Sequence, residues 1–464
     1  MSGPLNSGDL VPHGLVADLE AASGARVLSI VPRAGGGASR RGAELVLRHG
    51  DGQQEAGYLS FDSRVADPKR MVFFQRETAI LQALSGPLAH SGVAAPRFLA
   101  AAPTHLALLT ALTPGSDAFH AIRDPAQRRS VGGDFIAQLA RLHRIPTGDL
   151  PLDGFGDPKE AVSRRIRRRI GELRAENLAS APEPILLLAL DWLEANVPSD
   201  RGPAVIVHGD AGPGNFLHQD GTVTALLDWE LCHYGDPMED LAQIWVRSLF
   251  QPFLPMRDVF AAYEAAGGVD VELDRVRYHR LYFQAGFTVS GHATVHGPAG
   301  VRPATVGVTL LFYTAHMRVI VQSLAELWGV TLQPVALPDA APSWRDRTFA
   351  MALDDIRDVI AARAGDQEAA TKAKSLARLV KFWRARDRWG GAFDAAEMAE
   401  ISAALGQAVG SVEAGRIALA RAVLDRRIPP TTALQLCHAR VTRDTALMAE
   451  AMGAFKDTYF PPLD

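Results

Sequence analysis

The sequence predicts an α+β protein whose strands are concentrated in the first quarter of the chain and whose remainder is mainly helical. Before residue 112, short apolar stretches alternate with turns rich in Gly, Pro and Asp, which is typical of antiparallel strands. After residue 250, apolar residues recur at spacings of three and four, as in amphipathic helices. A chain of 464 residues is long enough for two or three domains.

Composition excludes several classes of protein. Hydrophobic residues make up 47% of the chain and charged residues 22%, as in a soluble globular protein. The net charge of −4 gives no sign of nucleic-acid or polybasic membrane binding. Two cysteines cannot form a disulfide scaffold. Because the chain begins with no secretory signal and has no stretch of about 18 uninterrupted apolar residues, we expect a cytoplasmic protein without a membrane span.

Residues 205–241 contain the most informative pattern of the chain. They predict a strand, a glycine-rich loop and a hairpin, with the polar residues Asp210, Asn215 and Asp228 at strand ends. Two carboxylates and an amide that converge there suit Mg²⁺, and phosphoryl transfer uses such a set. The alternative is that these polar residues merely cap turns.

Several spaced motifs in this stretch resemble the aminoglycoside phosphotransferase and choline kinase superfamily. They are His208-Gly209-Asp210, Asn215, Leu227-Asp228-Trp229-Glu230, Gly235-Asp236-Pro237 and Asp240-Leu241-Ala242. The resemblance implies a bilobal protein-kinase-like fold, with a small antiparallel-sheet lobe, a mainly helical lobe, and ATP and Mg²⁺ as cofactors. It also implies that Asp210 orients and deprotonates the acceptor and that Asn215 and Asp228 hold Mg²⁺. We expect His208, Asp236 and Asp240 to be structural.

The nucleotide is expected to contact the first lobe. A glycine-rich turn between two predicted strands can present backbone N–H groups to phosphates, although such turns are also common without a ligand; its candidate residues are Gly35, Gly36, Gly37 and Ser39. The resemblance places a phosphate-binding base on the strand predicted at residues 55–62, but neither face of that strand carries Lys or Arg. The nearest candidate is Arg64.

A second candidate in this lobe is an acidic residue on a predicted helix, residues 68–84. Glu77 shares an apolar face with Phe73, Ile80 and Leu84. Since an unpaired buried carboxylate is costly, we expect Glu77 to have a basic partner, Arg64 being our choice. It resembles the helix glutamate of the family that pairs with the phosphate-binding base. The alternative is a glutamate at the rim of the helix.

The chain is predicted to divide into three parts. Residues 1–112 form the nucleotide-binding lobe, residues 113–335 the catalytic and substrate lobe, and residues 343–464 an appended all-α domain after a proline-rich linker. This last part shows no catalytic constellation. It is expected to pack on the preceding lobe or to mediate a homodimer.

These features predict an ATP-dependent phosphotransferase that transfers the γ-phosphoryl group to a hydroxyl of a small molecule. One alternative is a hydroxyacyl-CoA or hydroxy acid kinase, in which the six arginines between Arg164 and Arg174 bind the anionic acceptor. The other interpretation of these arginines is a solvated basic helix face. A further alternative is a nucleotide-binding scaffold that has lost catalysis, suggested by the missing basic residue on the strand. Four histidines could serve the substrate or the core: His279, His292, His296 and His316.

Overall fold

The computed structural model describes residues 11–33, 40–62, 65, 67–179, 181–296, 305–365, 367–461 and 463. They form two compact units, one drawn from Met1–Val162 and Asp200–Val276 and the other from Ser163–Ser199 and Arg277–Pro462. The first unit contains strands and helices, and the described residues of the second contain helices alone. The predicted α+β class is confirmed.

The strands, in chain order, are β1 (Arg26–Arg33), β2 (Arg41–Arg48), β3 (Gln54–Phe61), β4 (Phe98–Ala102), β5 (Ala107–Ala111), β6 (Val205–Val207), β7 (Phe216–Gln219), β8 (Thr222–Leu226) and β9 (His233–Gly235). The α-helices are α1 (Leu15–Ser23), α2 (Pro68–Ser85), α3 (Pro125–His143), α4 (Val162–Ala179), α5 (Pro184–Ala195), α6 (Met238–Ser248), α7 (Met256–Ala265), α8 (Leu273–His296), α9 (Val306–Trp328), α10 (Asp346–Asp355), α11 (Gln367–Leu405), α12 (Val412–Leu424) and α13 (Pro430–Met452).

The first unit begins with a five-stranded antiparallel sheet of order β1-β2-β3-β5-β4. The strand predicted at residues 55–62 corresponds to β3. Alternate residues of β2 and β3, including Leu45 and Leu59, point into a core that Leu15 and Leu19 of α1 complete. The apolar side chains that alternate along these strands thus form the buried face of the sheet.

Helix α2 begins where its sequence predicts. The Asp67 side chain accepts a hydrogen bond from the Lys69 N–H, and Pro68 occupies the first helical position, where no N–H is needed. The helix buries Phe74 and Ile80, together with the carboxylate of Glu77. A buried acid on this helix requires a cation, as the sequence indicated.

The rest of the first unit contains two short pairs of antiparallel strands. Strand β6 pairs with β9, and β7 forms a hairpin with β8. The hairpin turn has positive φ angles at Asp220 (51°) and Gly221 (86°), as expected for an Asp-Gly turn of type I′. Stacking of Phe135 on Phe216, with a ring distance of 4.5 Å, fixes the hairpin to α3.

The second unit joins helices from distant parts of the chain. Helices α11 and α13 pack on each other and on α9, while α12 and α13 pack on α5. The helices after residue 343 therefore share a compact unit with α5 and α9, which we had assigned to the catalytic lobe. The three-part division stays a prediction, and the compact units follow different boundaries.

Helix α11 corrects one prediction. The sequence alone predicts two helices here, at residues 368–386 and 395–406, with Gly390 and Gly391 between them. The structure has a single helix, α11, that passes through both glycines. Each interior glycine costs about 1 kcal/mol relative to alanine, and packing along α9 and α13 outweighs that cost.

Helix α9 is long and apolar enough to cross a membrane by length and composition alone. However, 67% of its apolar window is buried inside the protein, as in a core helix. The buried side of α9 includes His316, which has an exposed fraction of 4%.

Buried ion pairs connect the helices of the second unit. Arg440 of α13 donates from Nη1 and Nη2 to the two carboxylate oxygens of Glu183, at 2.9 and 2.7 Å. Glu183 also caps α5, because its carboxylate accepts a hydrogen bond from the Ile185 N–H. The Arg440 guanidinium outweighs the opposing effect of burial and lowers the pKa of Glu183.

Candidate active site

A sharp turn after β6 presents Asp210. Gly209, which precedes it, has a φ of 82°, and a Cβ there would lie 2.1 Å from the Leu231 carbonyl oxygen. Only glycine fits this conformation and this close approach. The glycine of the His-Gly-Asp motif is therefore required by packing.

Helix α6 holds the loop that contains Asp210. Asp240, Gln243 and Arg247 lie on one face of α6, at spacings of three and four residues. The Asp240 carboxylate accepts hydrogen bonds from the N–H groups of residues 208 and 209, at 2.8 and 3.0 Å. Gln243 Oε1 accepts from the Ala211 N–H at 3.0 Å, and Arg247 Nη2 donates to the Pro213 carbonyl at 2.8 Å. One helix face thus fixes most of the loop backbone.

Asp240 is itself fixed from α3. It is fully buried and pairs with His143 Nε2 at 2.9 Å, while His143 Nδ1 contacts the Tyr263 hydroxyl at 2.8 Å. Burial acts to raise the pKa of Asp240, but the hydrogen bond to His143 and the nearby histidines lower it. The contacts of Asp240 are the structural ones that we expected.

The carboxylate of Asp210 has partners on both oxygens. Asn215 Nδ2 donates to Asp210 Oδ2 at 2.7 Å and to the Asp210 carbonyl at 2.8 Å. Arg247 Nη1 contacts Oδ1 at 2.5 Å. The Asn215 amide nitrogen is committed to Asp210, so its amide oxygen is the atom that can bind a cation.

Asp228 follows β8 and lies beside this pair. The Leu227 N–H donates to the Asn215 carbonyl at 2.8 Å, and Asp228 has a φ of 61°, uncommon for a residue other than glycine. Asp228 remains accessible to solvent, but the many protein atoms around it partly desolvate its carboxylate. This desolvation, with repulsion from Glu230 and Asp210, raises the pKa of Asp228 to about 6.

His208 packs beneath the Asp210 loop and contacts the end of β8. It is fully buried, its Nε2 lies 2.9 Å from the Leu227 carbonyl oxygen, and its ring packs on Trp229 at 4.8 Å. Burial lowers the pKa of His208, which favours the neutral ring. These contacts agree with the structural assignment made from the sequence.

Glu77 has a basic partner, but it is a residue that sequence reasoning missed. Arg40, immediately before β2, forms an ion pair with Glu77, and its Nη2 lies 3.4 Å from Glu230 Oε2. Burial acts to lower the pKa of Arg40, but attraction by Glu77 and Glu230 outweighs it and raises that pKa. Arg64, our predicted partner, lies outside the described residues, as do Gly35, Gly36, Gly37 and Ser39.

Two sequence signals could have identified the missed residues. Arg40 is the first basic residue after the glycine-rich turn, one strand away from the strand that we searched. Arg247 lies seven residues after Asp240, so helical periodicity puts both on one face of α6. The third residue near Glu77, Glu230, was already noted in the Asp-Trp-Glu motif, and its Oε2 lies 3.6 Å from Arg70 Nη1.

The residues fit a divalent cation that is shared with a phosphate ligand. Among the described residues, no group of three or more His, Cys, Asp or Glu side chains is arranged to hold a metal by itself. Mg²⁺ is usually bound by one or two carboxylates plus substrate phosphates. A cation beside Asp228 would relieve the carboxylate repulsion that raises its pKa.

Comparison with known proteins identifies the family of the chain. Residues 36–279, which span more than half of the chain and include the whole site, match the phosphotransferase enzyme family. The chain belongs to this family. This membership confirms the family resemblance of the motifs around Asp210.

Individual relatives of this phosphotransferase are distant. Acyl-CoA dehydrogenase family member 11 of Rattus norvegicus is 31% identical over 134 residues, which are 28% of this chain and 17% of that protein. The macrolide 2′-phosphotransferase MphH of Brachybacterium faecium is 22% identical, covers 64% of this chain and 98% of its own, and has a TM-score of 0.46. Aminoglycoside phosphotransferase APH(4)-Ia is 15% identical, covers 61% and 92%, and has a TM-score of 0.44. The chain thus spans less than a fifth of the length of the dehydrogenase relative.

Proposed function

We propose that this phosphotransferase uses ATP and Mg²⁺ to phosphorylate a hydroxyl group of a small molecule. The observation that supports this most directly is the placement of Asp210. Its carboxylate is held on both oxygens, next to the amide of Asn215 and the carboxylate of Asp228. Phosphoryl transfer needs such a positioned carboxylate beside the acceptor and little other covalent chemistry from the protein.

In this proposal, Asp210 accepts the proton of the acceptor hydroxyl as the hydroxyl oxygen attacks the γ-phosphorus, and the bond from that phosphorus to the β,γ-bridging oxygen breaks so that ADP leaves. Asn215 and Asp228 would hold Mg²⁺, which would neutralise negative charge on the phosphates. Arg40, held by Glu77, takes the phosphate contact that we had assigned to Arg64. The glycine-rich residues 35–39 stay a predicted phosphate-binding turn.

Buried polar atoms near Arg40 that make no hydrogen bond support a ligand in this place. Arg40 Nε, Arg70 Nη1 and Glu230 Oε2 make none within the described part of the chain. Glu230 Oε2 does lie at ion-pair distance from Arg40 Nη2 (3.4 Å) and from Arg70 Nη1 (3.6 Å). Buried polar groups are usually satisfied, and leaving one unsatisfied costs about 1–3 kcal/mol. A bound nucleotide phosphate would accept hydrogen bonds from the two guanidinium nitrogens, and its cation would be attracted to Glu230 Oε2.

The proposal is tested by incubating the protein with γ-labelled ATP and a panel of hydroxylated metabolites. We expect label transfer to at least one acceptor. In Asp210→Asn, transfer should fall by about 10²–10⁴-fold, the usual contribution of a positioned base, with MgATP affinity nearly unchanged. Wild-type turnover in Asp210→Asn would refute the assignment of the base.

The alternatives have less support. Arg174 of the arginine-rich run pairs with Asp191 and Glu194 of α5, at 2.6 and 2.8 Å, as in a solvated basic face. For Arg174, these pairs favour the solvated-face interpretation over binding of an anionic acceptor. The similarity of 134 residues to an acyl-CoA dehydrogenase family member is the observation that keeps a hydroxyacyl-CoA acceptor as an alternative. The scaffold hypothesis depended on a missing phosphate-binding base, and Arg40 beside Glu77 weakens it. Thermal stabilisation by MgATP without any turnover would revive it.

Three further features stay predictions: a cytoplasmic location, no membrane or nucleic-acid partner, and a homodimer through the C-terminal helices.

His279 and His292 are buried, with exposed fractions of 1% and 3%, and His292 bonds the Tyr313 hydroxyl at 2.8 Å. Their burial favours the core interpretation over a substrate contact.

A further inference from the structure

Arg247, in the last turn of α6, contacts the loop of Asp210 at two points. Nη1 lies 2.5 Å from the Asp210 carboxylate, and Nη2 donates to the Pro213 carbonyl at 2.8 Å. Both side chains are mostly buried, with exposed fractions of 21% and 22%. One guanidinium therefore connects the side chain of Asp210 to the backbone three residues later.

The loop is shaped around this arginine. A Cβ atom on Gly212 would lie 2.7 Å from Arg247 Cδ and 2.9 Å from Nε. Cβ contacts this short do not occur without a shift, so a side chain at residue 212 would displace Arg247 from its present position. The arginine stem occupies the space that a side chain at residue 212 would fill.

Arg247 and Asn215 hold opposite oxygens of the same carboxylate. Asn215 binds Oδ2 at 2.7 Å from the loop before β7, while Arg247 binds Oδ1 from α6. Contacts from two separate elements restrict rotation of the carboxylate. An ionised carboxylate offers about four acceptor positions, so both contacts leave room for an acceptor hydroxyl.

We propose that Arg247 is a positioning residue for phosphoryl transfer and acts by fixing the Asp210 carboxylate against the acceptor hydroxyl. This inference rests on the function proposed above. An ordinary surface ion pair contributes about 0–1 kcal/mol of stability. Arg247 should differ from such a pair, because its removal should reduce turnover far more than stability. Misplacement of a reacting group by about 1 Å can cost about 10²-fold in rate.

The test compares Arg247→Met and Arg247→Lys with wild type in the full-length protein. For Arg247→Met we expect kcat to fall by about 10–10²-fold, while KM for ATP and MgATP affinity by isothermal titration change by about twofold or less. Arg247→Lys should recover part of kcat, because an ammonium can reach Asp210 but cannot bond Asp210 and Pro213 in the same fork geometry. The acceptor is the one found in the metabolite panel, or water in slow ATP hydrolysis.

The matched control is Arg128→Met. Arg128 belongs to the same unit and donates to the carbonyl oxygens of Pro252 and Phe253, at 2.6 and 3.2 Å. Its replacement should leave kcat within about twofold. A double-mutant cycle with Asp210→Asn then separates positioning from general structural support. If Arg247 acts through Asp210, Arg247→Met should have almost no further effect on kcat in the Asp210→Asn background.

The possible outcomes decide whether Arg247 positions Asp210. Loss of kcat in Arg247→Met, partial recovery in Arg247→Lys and a non-additive cycle support the inference. If Arg247→Met does not fold, the lysine variant and its cycle with Asp210→Asn give the decision. Additive effects, or a kcat that is close to wild type, overturn the inference alone. If wild type transfers no phosphoryl group to water or to any hydroxyl, the proposed function fails and the inference falls with it.

Discussion

Replacement of Arg40 by methionine tests the nucleotide-binding part of the site. Arg40 has an exposed side-chain fraction of 13% and pairs with Glu77, while Glu230 lies 3.4 Å away. Methionine preserves much of the side-chain length and removes the charge. Hydrogen bonds to charged groups contribute about 1.5–3 kcal/mol. Because about 1.4 kcal/mol corresponds to a tenfold change in affinity, loss of one phosphate contact should raise the Kd for MgATP about 10–10²-fold.

The neighbouring arginine provides a matched control. Arg41 is exposed at the start of β2, so Arg41→Met removes the same charge from the adjacent position without opening the Arg40–Glu77 pair. Isothermal titration of MgATP measures both variants, and thermal unfolding verifies that each is folded. If folded Arg40→Met binds MgATP as tightly as Arg41→Met does, Arg40 is not a phosphate contact. The base would then have to be sought in another residue, with Arg64 the remaining candidate.

Three other predictions address the metal, the second unit and the C-terminal helices. Asp228→Ala should abolish most of the Mg²⁺ dependence of nucleotide binding, measured by titration with and without Mg²⁺; an unchanged Mg²⁺ effect would show that Asp228 is not a ligand. Arg440→Met should reduce the free energy of unfolding in urea by about 3–5 kcal/mol at pH 7, whereas the exposed control Arg427→Met should cost about 1 kcal/mol or less. The folded-state pKa of Glu183 is depressed, so the stabilisation that its ion pair gives is complete above its unfolded pKa of about 4.3 and is lost as the pH falls further. The loss of stability in Arg440→Met should therefore shrink in acid. A loss that does not change with pH would contradict a stabilising Arg440–Glu183 pair. A chain that ends at Pro342 should keep MgATP affinity while it stays soluble but lose thermal stability, because α11 and α13 no longer cover α9; a folded truncation without nucleotide affinity, measured by titration and light scattering, would contradict the predicted division.

The loop that contains the proposed catalytic residues could be predicted from sequence because its geometry is local. Asp210, Asn215 and Asp228 lie within 19 residues and are brought together by a hairpin whose Asp-Gly turn is recognisable. The family motifs are found in the same segment. Local turn chemistry and strand alternation are sufficient to place these three side chains side by side.

The partner of Glu77 could not be predicted in this way. Arg40 lies 37 residues before Glu77 and meets it only after β2 and α2 have packed in the first unit. Our search was restricted to the strand that the family resemblance indicated. Alternation gives the face of a strand on which a residue lies, but it does not give the strand that supplies a cation to a distant helix.

The grouping of helices was hidden for a similar reason. Periodicity after residue 250 predicts amphipathic helices, but it gives no information about which apolar faces meet. Glu183 and Arg440 are 257 residues apart in sequence. A proline-rich segment after residue 334 looked like a domain boundary, yet helices before and after it share one core.

The interleaving of the two units has a consequence during synthesis on the ribosome. Helix α5, whose leucines are almost entirely buried in the finished protein, is translated before α12 and α13, the helices that pack on it. Translation adds about 5–20 residues per second, so the segment from Pro184 to the start of α12 at Val412 takes roughly 10–45 s to complete. During that interval the nascent chain presents a strongly apolar helix without its final neighbours, while most of the first unit has already emerged. We expect α5 to be the segment where chaperones bind the nascent chain, and the site around Asp210 to assemble before the helical unit closes.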